Sequence, residues 1–150
     1  GVVAALEEVF SGLSGLTCTH CCGNTDWSLL LRTSVDILAF DANGFAERMA
    51  LYPDELRAFL ARGGMLAWGV LPNTGEAAET MTLDGAWQAF ERALALFERK
   101  GFDRRALLSR SLITPACGTG PMSLPAAERT MRLTQALSDQ VREAYAAFQI

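Results

Sequence analysis

The stretch Val35-Asp36-Ile37-Leu38-Ala39-Phe40-Asp41 decides the fold class. Its apolar residues run together instead of alternating with polar ones, and they stop at strand length with β-branched and aromatic types among them. That pattern reads as a strand buried on both faces, the kind found in parallel sheets covered by helices. Working outward, residues 65–71 form a second such run. Residues 16–22 make a smaller and more polar strand, and a compositionally weaker one is expected within residues 107–114.

Helical periodicity fills the intervals. Val2, Val3, Leu6, Val9 and Phe10 mark a helix stopped by Ser11 and Gly12, and Asn24 or Thr25 caps a short helix through Trp27, Leu30 and Leu31. Residues 46–51 and 53–62 read as two short helices broken at Pro53, and residues 72–81 as a loop. The strongest helix is expected at 83–100, with Trp87, Phe90, Leu94 and Phe97 inward and Glu91, Arg92, Glu98 and Arg99 solvated. Trp68 and Trp87 read as core residues. A last helix, capped by Ser123, buries Leu133, Leu137, Val141, Ala144 and Phe148.

A helix followed by four strand-helix units implies parallel strands joined by right-handed crossovers. Four units make either a small open sheet or half of a (β/α)8 barrel, a fold that typically takes about 250 residues. The 150 residues form one domain around one core. Thirteen Lys and Arg against seventeen Asp and Glu leave a net charge of -4. That sign disfavours nucleic acid and anionic membranes as partners. No apolar run approaches the roughly 18 residues a bilayer span needs, so a soluble, cytoplasmic protein is expected. The chain begins at Gly1 within an amphipathic helix and without methionine, which suggests a fragment or a processed piece.

Three of the four cysteines, Cys18, Cys21 and Cys22, crowd around the only histidine, His20, and the fourth is Cys117. Such a cluster points to metal or thiol chemistry rather than a disulfide framework. Period-2 geometry puts Cys18, His20 and Cys22 on one strand face and Cys21 on the other, so a thioredoxin-like C-x-x-C pair is disfavoured. His20, Cys22 and Asp41 fall at the C-terminal ends of the first two strands, and Cys117 follows the fourth. All four reach the rim where parallel α/β folds place their chemistry. Mixed nitrogen, sulfur and oxygen donors suit Zn²⁺, held by His20, Cys22, Cys117 and Asp41. Buried cysteines with a hydrogen-bonded core histidine remain the alternative, and Asp41 serves equally well as a helix cap.

His20-Cys21-Cys22-Gly23-Asn24 resembles the zinc-binding H-x-C-G-N signature of methyltransferases related to uroporphyrinogen decarboxylase. Thr114-Pro115-Ala116-Cys117-Gly118-Thr119-Gly120 is similar to the segment that supplies the last thiolate in the catalytic domain of cobalamin-independent methionine synthase. Leu66-Ala67-Trp68-Gly69-Val70 and Arg110-Ser111-Leu112-Ile113 fit the same family, so the resemblance spans nearly the whole chain. It implies a (β/α)8 barrel of which these are strands five to eight, with His20, Cys22 and Cys117 at zinc-ligand positions. Asp41 stands near the place of a family glutamate one methylene longer.

The activity implied is methyl transfer to a small thiol such as homocysteine, from a methyl-corrinoid or a methyltetrahydrofolate donor. Folate-dependent members carry a histidine near the loop that here reads Pro72-Asn73-Thr74-Gly75-Glu76, which favours the corrinoid and leaves Glu76 as the candidate proton source. Half a barrel also implies an N-terminal half-barrel partner, from the same longer chain, a second copy or a separate subunit. The alternatives are a non-catalytic half-barrel serving binding or assembly, and a decarboxylase-like enzyme acting on a tetrapyrrole.

Overall fold

A computed structural model describes residues 1–146 of the chain. Its elements are α1 (Val2–Phe10), β1 (Cys18–Cys21), α2 (Trp27–Leu31), β2 (Ile37–Asp41), α3 (Ala42–Met49), α4 (Pro53–Ala61), β3 (Met65–Leu71), α5 (Gly75–Thr80), α6 (Leu83–Glu98), α7 (Arg104–Leu108), β4 (Ser111–Pro115) and α8 (Leu124–Tyr145). The four strands form one all-parallel sheet in the order β1-β2-β3-β4, so the α/β class holds. Right-handed crossovers between strands in strictly sequential order carry the connecting helices to one face, whereas a doubly wound sheet reverses direction to cover both. No described helix is long and apolar enough to cross a membrane.

Parallel partners share a face, so the register sorts the side chains into layers. The row Cys21, Phe40, Trp68, Ile113 faces the helices. There Phe40 and Trp68 are fully buried, and Trp68 meets Phe90 and Phe97 edge-on with ring centroids 5.8 and 5.0 Å away. The row His20, Ala39, Ala67, Leu112 lies on the opposite face. That side carries no described helix layer over its ends: His20 is exposed and Leu112 keeps 42% of its surface in solvent.

β1 is short and sits at an edge, and one carboxylate anchors its start. Oδ2 of Asp36 accepts from the Thr17 backbone N–H at 2.7 Å and from the Thr17 hydroxyl at 2.9 Å. These bonds hold the Asp36 carboxyl below the usual carboxylate range. Strand β1 is thereby tied to the head of β2 before its ladder begins.

Several boundaries differ from the sequence expectation, each for a local reason. Asp26, not Asn24 or Thr25, caps α2, accepting from Ser28 N. Asp41 caps α3 and starts it directly after β2, ahead of the expected residue 46. Within the expected loop, the Gly-Glu-Ala-Ala-Glu-Thr stretch winds into α5. Leu107 belongs to α7, which Asp103 caps, so β4 begins only at Ser111. Ala144 is exposed, and Phe148 lies outside the described residues.

The charged face of α6 is more than a solvated surface. Arg104 donates to both carboxylate oxygens of Glu98 at 2.8 and 2.7 Å and to Glu91 at 3.0 Å. Tyr145 donates to Glu91 and stacks on Trp87 with ring centroids 6.0 Å apart. Burial, then the Glu91 hydrogen bond, push the Tyr145 hydroxyl up to about 12. Trp87 therefore sits at the α6–α8 seam, half-buried, rather than in the central core.

Asp36→Ala should lower the urea midpoint at pH 7. Because the folded pKa is depressed, the Asp36 contribution is full above the unfolded value of about 4 and fades as pH falls through the folded one. The gap between wild type and variant should narrow in urea titrations at pH 3; an unchanged gap would show that the Thr17 bonds contribute nothing through the charge.

Candidate metal centre

β1 presents its residues alternately to the two faces, and this alternation sorts the cysteines. Cys21 faces the helices, packs against the core and donates to the Gly23 carbonyl at 3.5 Å. Cys18, His20 and Cys22 project to the other side. Cys18 lies four residues before Cys22, about 13 Å along an extended chain, and burial pushes its thiol up. Cys22 follows the last residue of β1, at the C-terminal rim.

Cys117 comes from the far edge of the sheet. Three inter-strand gaps of about 4.8 Å would hold the edge strands of a flat sheet about 14 Å apart. The chain leaving β4 closes much of that distance by leaning across β3. The Ala116 N–H donates to the Leu71 carbonyl at 2.8 Å. The lean is possible because residue 69 is glycine: a Cβ there would stand 2.6 Å from the Phe40 carbonyl oxygen, 2.7 Å from the Ala116 Cα and 3.0 Å from the Pro115 carbonyl oxygen. All three are backbone atoms, so none can swing aside. The signal was present in the sequence, since a glycine interrupting an apolar strand marks a close backbone approach.

The result is that the Cys117 thiol donates to the Cys22 sulfur at 3.6 Å. One nitrogen of His20 and the sulfurs of Cys22 and Cys117 all lie within 4.8 Å of one another. The Cys117 hydrogen bond, then repulsion from a Cys117 thiolate, push the Cys22 thiol up. One thiol donating to another at this distance is compatible with a metal site, whose cysteine ligands must lose their protons to bind.

Tetrahedral Zn²⁺ with Zn–S bonds of about 2.3 Å requires its sulfurs about 3.8 Å apart. The Cys22–Cys117 separation of 3.6 Å lies close to that edge. One imidazole and two thiolates are a zinc-type donor set.

Asp41 is placed differently from the sequence expectation of a fourth ligand. Its Oδ1 accepts from the backbone N–H groups of Asn43 at 3.0 Å and Gly44 at 3.1 Å. It is an N-cap, and the clustered donors among the described residues are His20, Cys22 and Cys117. A carboxylate engaged with a helix N-terminus is already well satisfied.

No known protein-family model matches this chain, and no match was found among curated proteins or solved structures.

Gly69→Ala should force the Pro115–Cys117 backbone away from β3. Zinc titration against a competing chelator should show at least a tenfold loss of affinity, and urea unfolding a loss of about 1–3 kcal/mol. Wild-type affinity in this variant would mean that Cys117 reaches Cys22 without the close passage over residue 69.

Proposed function

We propose that the chain is a zinc-dependent methyltransferase acting on a small thiol, in line with its resemblance to the catalytic domain of cobalamin-independent methionine synthase. The observation that carries this reading is the convergence of His20, Cys22 and Cys117, from the C-terminal ends of the two edge strands, onto one point where His20 and Cys22 are exposed and Cys117 is half-buried. Strictly sequential parallel strands, with His20 and Leu112 exposed on one face, support the reading as half of a (β/α)8 barrel. An N-terminal half-barrel would cover those exposed residues and pair the edges of β1 and β4.

His20, as the neutral imidazole, and Cys22 and Cys117, as thiolates, would hold the ion. Zinc(II) bound there supplies the Lewis acidity that keeps an acceptor thiol deprotonated at neutral pH. The charges of Cys22 and Cys117 would offset that of the cation, which would leave an acceptor thiolate its electron density and nucleophilicity. Asp41, kept at its helix cap, adds no further negative charge to the donor set. The acceptor sulfur forms the new S–CH₃ bond as the donor's methyl bond breaks, and the bonding pair departs with the donor.

The donor proposed is a methyl-corrinoid. Its cobalt leaves with the electron pair and needs no proton, whereas a departing folate nitrogen needs one. The only histidine in the chain is His20, which the metal site occupies. Glu76, in the first turn of α5, is the acid nearest in sequence to the loop where folate-dependent relatives place theirs.

The test is zinc quantification followed by transfer to homocysteine from methylcobalamin and, separately, from methyltetrahydrofolate. One zinc per chain and S-methylation from methylcobalamin are expected, both lost in Cys22→Ser. Activity with the folate alone would overturn the donor. Stoichiometric zinc without transfer from either donor would favour a non-catalytic binding or assembly half-barrel.

A further inference from the structure

Cys117 belongs to no strand or helix, yet its sulfur must arrive at a fixed place. Its backbone is held on one side by the C-terminal end of β3 and on the other by the loop that follows β3. On the N-terminal side, the Ala116 N–H donates to the Leu71 carbonyl at 2.8 Å. On the C-terminal side, Nδ2 of Asn73 donates to the Gly118 carbonyl at 2.9 Å, across 45 residues of sequence. The first bond is backbone to backbone. The second depends on a single side-chain nitrogen.

The anchoring end of β3 is itself tied down. Nδ2 of Asn43 donates to the Val70 carbonyl at 2.9 Å, and Asn43 stands in the first turn of the helix that Asp41 caps. A continuous set of bonds therefore runs along the rim from Asp41 through α3 to β3 and on to the Cys117 loop. The acidic residue at the end of β2 contributes to the centre through the scaffold rather than as a ligand.

We propose that Asn73 is a positioning residue for Cys117: its amide fixes the Gly118–Thr119 peptide, one residue beyond the cysteine, so that the sulfur meets Cys22 and His20. This inference rests on the metal reading above for its consequence, though the geometry it concerns exists without metal. Gly118 and Gly120 follow the cysteine with backbone that has no side-chain packing of its own, so Asn73 replaces an anchor the loop lacks. Its amide bonds the backbone of the loop and is not one of the clustered donors, so its role is one of placement, which a small error in ligand position would expose.

The experiment compares wild type with Asn73→Ala, the near-isosteric Asn73→Asp, which lacks the donor, and Asn73→Gln, which restores an amide. Zinc affinity is measured by chelator competition. Independently, on metal-free protein, diamide is used to close the Cys22–Cys117 disulfide, taking up the two thiol hydrogens as the S–S bond forms, and the rate is followed by mass spectrometry. Ala and Asp should bind zinc about tenfold more weakly, or about 1.4 kcal/mol, and close the disulfide severalfold more slowly, with unchanged urea midpoints. Gln should recover part of both. Wild-type affinity and rate in Ala and Asp would overturn the proposal, as would a loss matched by an equal fall in urea midpoint. Slower disulfide closure in variants of a wild type that takes up no zinc would support the placement role and overturn the metal reading alone.

Discussion

The passage of the chain over Gly69 is the constraint on which the rest of the centre depends. Parallel sheets hold their edge strands apart, and Cys22 and Cys117 stand at opposite edges. Their sulfurs meet because the backbone beyond β4 crosses β3 at van der Waals distance, where any side chain would intrude on three backbone atoms. Local backbone chemistry thus converts a remote pair of thiols into neighbours. The β3 ladder shows the same event as a register irregularity between Gly69 and Leu71, at the point where β4 ends.

Burial and function divide the sheet between its faces. The row of Cys21, Phe40, Trp68 and Ile113 supplies cohesion, with aromatic rings interlocked beneath the helices. The opposite row has His20 beside two alanines, small neighbours that leave the imidazole open to a ligand at the rim. Period-2 alternation along one four-residue strand is sufficient to send His20 one way and Cys21 the other. A one-residue slip of β1 would exchange them and bury the ligand, which gives the Asp36–Thr17 bonds their importance.

Much of this was legible in the amino-acid order, because strand patterns and thiol spacing are local properties. β3 falls on the residues its apolar run marks out, and His20 and Cys22 reach the same side as alternation requires. What escaped depends on atoms far apart in sequence. Asp41 offered two equally good roles at a strand end, and only the position of the α3 N–H groups shows the cap. Glu91 and Glu98 looked solvated because their partners, Arg104 and Tyr145, arrive from other elements. The 104–108 segment has an apolar pair that suits a strand as well as a helix, and the Asp103 cap decides for the helix.

The most direct measurement is X-ray absorption at the zinc edge of the zinc-loaded chain. Two sulfurs at about 2.3 Å and one imidazole nitrogen at about 2.0–2.1 Å are expected, with one light atom completing the shell. A shell of oxygen and nitrogen alone, or one with a single sulfur, would contradict the convergence of the two edge cysteines on a common ion.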